Sequence, residues 1–176
     1  MLVNNAGIGM QGRFDQLPLD RQLSMIQLNV TSLVALTRLY LPQMIASNAG
    51  GVLNVASTAA FQPGPLMTVY YATKAFVLSF TEGIAEEVSG TALKLSCLCP
   101  GPTHTGFVEA AAMEGSRLFT AGAMSADDVA RIGYEGWNAG KRLVIPGARN
   151  RLGTLLVRVV PRGAVPKITK RLNEVK

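Results

Sequence analysis

Three side chains in the stretch STAAFQPGPLMTVYYATK could do proton chemistry: a hydroxyl at Ser57, a phenol at Tyr70 and an ammonium at Lys74. From Ala72 to Val88 the apolar residues recur at helical spacing, so Tyr70 and Lys74, four apart, share a face near that helix's start. Tyr71 points roughly 100° away. A phenol with a pKa of about 10 is a poor base at neutral pH. An ammonium about 4 Å away, at an effective dielectric of about 20, contributes roughly 4 kcal/mol, near 3 pKa units. Lys74 is therefore expected to bring Tyr70 into working range. The run Gly51 to Ala56 (GVLNVA) reads as a buried strand ended by Ser57. A hydroxyl at that end of a strand faces the crevice where open α/β sheets bind ligands. Serine can hold a substrate oxygen there while tyrosine moves its proton. Taken alone, a YxxxK spacing is more often a surface pair and such a serine a helix-start residue.

Other motifs change that balance. NNAG spans Asn4 to Gly7, Asn29 lies in LNVTS, Ser57 stands thirteen residues before Tyr70, and PGPTHT spans Pro100 to Thr105. In this order, along nearly the whole chain, they resemble the classical short-chain dehydrogenase/reductase family. The resemblance implies an α/β fold, a Rossmann-like doubly wound parallel sheet, and an oxidoreductase moving hydride between NAD(P)(H) and an alcohol or carbonyl. NADP is set ahead of NAD. It also implies roles: Tyr70 the general acid/base, Lys74 the group that lowers its pKa and holds the nicotinamide ribose, Ser57 the orienter of the substrate oxygen. Asn29 is implied as the fourth member, whose helix position holds a water relaying protons to Lys74. In NNAG, Asn4 is implied to brace the sheet, with Asn5, Ala6 and Gly7 on the cofactor side. Pro100, Gly101 and Thr103 are implied to meet the nicotinamide through the backbone, and Thr105 its carboxamide through the hydroxyl. Thr103 departs from the branched apolar residue usual there. The family's subunits pair through two long helices, which implies a homo-oligomer, and the apolar residues of Val30 to Met44 are consistent with that.

Gly7, Gly9 and Gly12 also spell GxGxxG, the pattern of a dinucleotide phosphate loop, which needs a preceding strand, a helix opening at its end and an acid about 20 residues on. The strand has at most a few residues, RFDQLPL with Pro18 does not open a helix, and residues 27–36 hold no acid. These glycines read as a loop near the substrate. The family's own TGxxxGxG loop belongs about two βα units before NNAG, so the chain is expected to be N-terminally truncated, without its first strands and glycine-rich loop. Leu2 to Asn4 would then form a sheet edge, and a chain of these residues is expected to be poorly stable or to aggregate.

The elements that must position these groups follow from pattern. Asp20 to Ser47 carries helical spacing, with Asp20 a candidate N-cap, Pro42 a kink or break, and Leu23, Ile26 and Leu28 suited to a core face. Thr68 is a candidate cap for the helix bearing Tyr70. Leu93 to Cys99 reads as a strand. Gly106 to Gly122 reads as a segment over the site, with Phe107, Val108, Met113 and Phe119 lining it and favouring an apolar substrate. Ser125 opens a helix with an SxxD box, and Arg142 to Ile145 is a last short strand.

With 176 residues, 48% hydrophobic and 16% charged, the chain suits one globular domain with a sizeable core. Cys97 and Cys99, two apart on a strand, face one side and cannot easily pair, as expected of core thiols in a reducing cytoplasm. The single histidine, His104, has no ligand set around it, so no metal is expected. No apolar run is long enough to span a membrane, and no charged leader precedes an apolar segment. Charge is uneven: residues 1–140 carry 7 Lys/Arg against 10 Asp/Glu, and residues 141–176 carry 10 against 1. The chain is accordingly divided into a partial catalytic domain over 1–148 and a basic amphipathic extension over 149–176. The extension suits an anionic membrane surface, a partner helix or an ordinary solvated helix. Nucleic acid is not expected, because the extension lacks aromatic platforms. Two functions remain open: the oxidoreductase, acting on a small apolar carbonyl or alcohol by the Asn-Ser-Tyr-Lys mechanism, and a non-catalytic fragment that binds a partner or membrane through its tail. The expected location is cytoplasmic, with membrane association through the tail.

Overall fold

The computed structural model describes residues 1–107, 111 and 122–174. Its centre is a four-stranded parallel sheet, β1 (Leu2–Asn4), β2 (Gly51–Val55), β3 (Lys94–Leu98) and β6 (Leu143–Val144), in that spatial order. Leu2 pairs with Val52, Gly51 with Lys94, and Cys97 with Leu143. Two short strands, β4 (Thr103–His104) and β5 (Met124–Ser125), pair separately just beyond the end of β3.

Strands buried on both faces read as continuous apolar runs, and alternate residues here serve opposite layers. Val52, Leu95 and Cys97 pack against α2 (Leu33–Ser47) and α3 (Thr68–Glu87), meeting Met44, Val77, Ala85 and Val88. Leu53, Leu98 and Val144 face α4 (Ala126–Asn138), meeting Val129 and Trp137. The sheet therefore carries helices on both sides, the doubly wound arrangement. A polar cluster crosses the first layer. Asn4 Nδ2 donates to Asn54 Oδ1 at 2.8 Å and Thr37 Oγ1 at 3.1 Å, and Asn54 Nδ2 donates to Thr81 Oγ1 at 2.9 Å. Asn4 thus braces two strands against two helices.

One helical stretch runs from α1 (Leu19–Ile26) through a π-helical turn (Gln27–Ser32) into α2. Several local expectations change here. Pro18, not Asp20, precedes the first helical residue, and Asp20 sits in the first turn. Leu23 is 55% exposed and Ile26 is also exposed, while Gln22 and Met25 take the buried positions. The π-turn shifts the helical phase, so the periodicity of the whole run does not predict the buried face of its first part. Pro42 lies inside α2 without ending it. Its ring removes one N–H, and the carbonyl left over belongs to exposed Arg38. Thr68 is the first residue of α3 rather than its cap; Met67 precedes it without a capping side chain. Ser125 does cap α4: its Oγ accepts from Asp128 N at 3.1 Å and donates to Asp128 Oδ2 at 2.8 Å.

After β6 come α5 (Ala148–Leu156) and α6 (Val165–Asn173). The second of these lies against the site loop. Val165, Thr169 and Asn173 are buried, and Asn173 Nδ2 donates to Pro65 O at 2.9 Å. Among the described residues no helix is long and apolar enough to cross a membrane.

Candidate active site

The parallel strands all end on one side, and their following loops line a cavity of about 640 Å³. Asn5 and Gly7 come from the segment after β1, Ser57 and Ala59 from that after β2, and Pro100, Gly101, Thr103 and Thr105 from that after β3. α3 contributes Tyr70, Tyr71 and Lys74. Ala6 and Asn29 do not line it.

Lys74 stands at the centre of this arrangement. Only 5% exposed, its Nζ donates to Val55 O at 2.9 Å and lies 5.8 Å from the Tyr70 ring centroid. Burial pushes its pKa down to about 8. Burial also pushes Tyr70 up to about 12, with the Ser57 hydroxyl pulling the other way. The lowering of Tyr70 expected from Lys74 does not appear: desolvation dominates, only the Ser57 hydroxyl opposes it, and the phenol is held neutral. The ammonium faces a strand-end carbonyl and the side of the ring.

Ser57 has extended backbone angles and caps a 3-10 turn (Thr58–Phe61), accepting from Ala59 N at 3.1 Å. Its hydroxyl proton is directed at Pro100 O at 3.4 Å, a long bond that leaves it able to turn to another acceptor. It is both a capping residue and a cavity residue.

Asn29, 2% exposed in the π-turn, works from behind. Its Oδ1 accepts from Ile8 N at 2.9 Å, and its Nδ2 donates to Ile8 O at 2.9 Å and Thr73 Oγ1 at 3.1 Å. Thr73 Oγ1 in turn donates to Tyr70 O at 2.7 Å. One amide thereby ties the loop after β1 to the first turn of α3. Gly7 passes through the narrow gap beside it. A Cβ there would meet Asn29 Oδ1 at 3.2 Å and Lys74 Nζ at 3.3 Å.

The other glycines of GIGMQG do not form an anion cradle. A Cβ on Gly9 would run into Phe107 and one on Gly12 into Leu17, and α1 begins only at Leu19. Phe107 lines the cavity, tilted against Tyr70 with ring centroids 5.3 Å apart. Val108, Met113 and Phe119 lie outside the described residues. Cys97 and Cys99 are free and buried, with sulfurs 3.7 Å apart; that contact and burial raise the Cys99 pKa. Among the described residues no group of three or more His, Cys, Asp or Glu could hold a metal.

Sequence reasoning missed three contributors. Tyr71 is not turned out of the site. It is buried, lines the cavity, stands edge-on to Tyr70 at 6.1 Å, and donates to Asn173 Oδ1 at 3.1 Å. Its ring fills the space where a side chain on Gly64 would stand. Val129 and Ala130 of α4 close the far wall. The apolar residues of α4 gave a usable signal, whereas nothing in the sequence links Tyr71 to Asn173, 102 positions away.

Comparisons with known proteins agree with this architecture. The chain is 38% identical over 116 residues to the uncharacterized oxidoreductase YvrD of Bacillus subtilis, covering 66% of this chain and 44% of that protein. It is 36% identical over 101 residues to the ketoacyl reductase HetN of a Nostoc species, covering 57% of this chain and 35% of that one. The chain thus spans less than half the length of these relatives. Among solved structures, a short-chain dehydrogenase from Sphingobium yanoikuyae in complex with NADPH superposes with a TM-score of 0.78 at 28% identity, covering 90% of this chain and 62% of that one. A 7beta-hydroxysteroid dehydrogenase shares the fold at a TM-score of 0.82 and 24% identity, covering 95% and 65%. Residues 1–114 match the family described as short chain dehydrogenase, and the chain belongs to that family.

Proposed function

We propose that this protein interconverts an alcohol and a carbonyl with a nicotinamide dinucleotide, NADP(H) ahead of NAD(H), in the cavity beside Tyr70. The observation that carries the reading is the convergence on that cavity of Ser57, from the end of β2, with Tyr70 and Lys74 of α3. The relative named a ketoacyl reductase and the solved dehydrogenase bound to NADPH support it.

The residues present fit the nicotinamide and its ribose. Gly7 keeps the approach to Lys74 open, Pro100, Gly101 and Thr103 offer main chain, and Thr105 offers a hydroxyl. Asn5 and Ala6 would stand on the adenine side, and Tyr70 and Lys74 would hold the ribose hydroxyls. Among the described residues no glycine-rich loop opens a helix to cradle the pyrophosphate. When bound, the nicotinamide gives or takes the hydride at the reacting carbon.

In reduction, Ser57 Oγ turns from Pro100 O and donates to the carbonyl oxygen. Tyr70 Oη gives its proton to that oxygen. A phenol held neutral by burial suits this acid role. Lys74 would then return a proton to Tyr70 Oη and be resupplied through water held at the π-turn of Asn29. Met67, Phe107, Val129 and Ala130 make the wall apolar, which favours an apolar substrate. Buried free thiols at Cys97 and Cys99 suit a reducing, cytoplasmic setting. A second copy of the chain covers the exposed Leu36, Leu39 and Tyr40 of α2 and Phe76 of α3, making a homo-oligomer.

The test is a fluorescence titration with NADPH followed by turnover of a ketone. Saturable binding, with turnover reduced about 10²–10⁴-fold in Tyr70→Phe and binding retained, is the expected result. Turnover unchanged by Tyr70→Phe would remove that residue from its role.

One observation favours a second reading. Leu152, Leu155 and Val159 are 58%, 58% and 76% exposed on and just after α5, interleaved with Arg151, Arg158 and Arg162. Such a face suits an anionic membrane surface, where a non-catalytic chain would dock without cofactor. Failure to bind NADPH together with salt-sensitive binding to phosphatidylserine vesicles would favour it over the first.

A further inference from the structure

A second cavity, of about 410 Å³, lies between α5, the turn after it and α6. Thr58, Gln62 and Pro102 line both this cavity and the one beside Tyr70, so the two adjoin at the 3-10 turn that Ser57 caps. Leu156, Val157, Val160, Val165, Ile168 and Leu172 make its lining mainly aliphatic. Of the polar residues on the lining, Asn150, Thr154 and Thr169 are turned to the backbone, while Thr58, Gln62 and Arg149 also line it. Asn150 Nδ2 donates to Pro146 O at 2.7 Å, Thr154 Oγ1 to Arg151 O at 2.9 Å and Thr169 Oγ1 to Val165 O at 3.0 Å. The hydroxyl protons of Thr154 and Thr169 are thus already committed to their own helices. The aliphatic stretch of this lining, between α5 and α6, has more to gain from hydrocarbon than from a polar group.

We infer that the second cavity receives the unbranched aliphatic tail of the substrate, whose carbonyl or alcohol carbon reacts beside Tyr70. The inference rests on the oxidoreductase reading above and narrows it from small apolar substrates to long-chain ketones or secondary alcohols. The tail leaves the reaction site past Thr58, Gln62 and Pro102 and runs between α5 and α6. At roughly 30 Å³ for each water-sized group, the cavity takes a chain of about a dozen carbons. Its outer end opens beside Leu156 and Ile168, both exposed, so the tail can enter from solvent or from a lipid surface.

Gly153 provides the means of testing this. It lines the cavity from within α5, and a Cβ built on it meets nothing within 4 Å, so the root of a larger side chain there starts in open space. Replacing a glycine inside a helix also favours the helix. The experiment compares butanone, octan-2-one and dodecan-2-one as substrates with NADPH, and measures calorimetric binding of dodecan-2-one to the chain alone, for the wild type, Gly153→Phe and Val160→Trp. In the wild type kcat/KM is expected to rise about fourfold for each methylene that enters the second cavity. In both variants the ratio of dodecan-2-one to butanone is expected to collapse, and binding of dodecan-2-one to weaken at least about tenfold. The second variant guards against a folding defect peculiar to the first, with circular dichroism of each as the check. Equal kcat/KM for all three ketones in the wild type overturns the tail cavity and leaves the carbonyl chemistry standing. Variant-sensitive binding of dodecan-2-one without turnover of any ketone overturns the chemistry and leaves the cavity. Neither binding nor turnover overturns both.

Discussion

At the scale of single residues the site is governed by burial. Lys74 sits in a low-dielectric position, so its charged form costs more in the folded chain than in the unfolded one, and its pKa falls from 10.5 to about 8. The unfolded chain therefore binds more protons between those values, and stability from this group rises with pH across that window. Below about pH 8 the full penalty applies, on the order of 3 kcal/mol. Lys74→Met removes the titration, so the stability of the wild type relative to this variant is expected to rise by roughly 2 kcal/mol from pH 7 to pH 10. Chemical denaturation of both proteins across that range checks it, and a constant difference would contradict the burial account. Tyr70 has the opposite shift, and its effect cancels in the comparison because both proteins carry it. The kinetic counterpart concerns direction. With Tyr70 neutral up to about pH 12, reduction of a ketone is expected to lose no rate to Tyr70 ionisation between pH 6 and 9, whereas oxidation of an alcohol should quicken with pH. A reduction rate that falls through pH 7 would place the working phenol far below its buried value. The shared face of Tyr70 and Lys74 was legible from their four-residue helical spacing and the place of Ser57 from the apolar run before it, whereas their roles came only from the family resemblance. Their electrostatics were not legible, because desolvation depends on what other segments bring over them.

At the scale of elements, the site is held by contacts between segments far apart in sequence. Asn29 ties the loop after β1 to α3, and Asn173 ties α6 to Tyr71 and to the loop at Pro65. Asn173→Ala would leave the Tyr71 hydroxyl and the Pro65 carbonyl unpaired in a buried position, at about 1–3 kcal/mol for each group that water does not reach. The expected outcome is a loss of about 2–4 kcal/mol and faster amide exchange in residues 64–71, read by hydrogen exchange. Exchange that changes only within α6 would mean that the helix is not coupled to the site. The four strands of the central sheet could be placed from the sequence to within a residue or two, since alternate burial on two layers leaves a plain apolar run with Gly or Pro at its ends, whereas β4, β5 and the separate helices α5 and α6 were not expected. What misled was the stretch from Asp20 to Ser47. The π-turn at Gln27–Ser32 adds a phase shift that no single helical wheel can carry, so Leu23 and Ile26 fell on the wrong face while Asn29 was turned inward. Tyr71 was misjudged for a related reason. The angle between neighbours on a helix says that Tyr70 and Tyr71 differ in direction, but a site enclosed by α6 can receive both.

At the scale of the whole molecule, two surfaces of this chain can meet a second copy, and they predict different behaviour. One is the helical face of α2 and α3, where Leu36, Leu39, Tyr40 and Phe76 are exposed. The other is β1, which among the described residues pairs with β2 alone, leaving its outer edge open beside Val3, 49% exposed. Burial of a helical face closes by symmetry and gives a defined dimer or tetramer. An open strand edge can pair without closing, and such pairing ends in aggregation. A charge on β1 should block the second process and not the first, because a lysine at position 3 projects from the edge strand without touching α2. The 176-residue chain is therefore expected to sediment as a broad distribution above its monomer mass. Val3→Lys is expected to narrow this to a discrete oligomer, and Val3→Lys combined with Leu39→Glu to shift it toward monomer. The basic segment after residue 140 sets the conditions: with 10 Lys/Arg against 1 Asp/Glu it repels itself at low salt, so association should grow as salt is raised. A wild-type chain that is monomeric at all salt concentrations and unfolds in one cooperative transition would show that neither surface needs a partner.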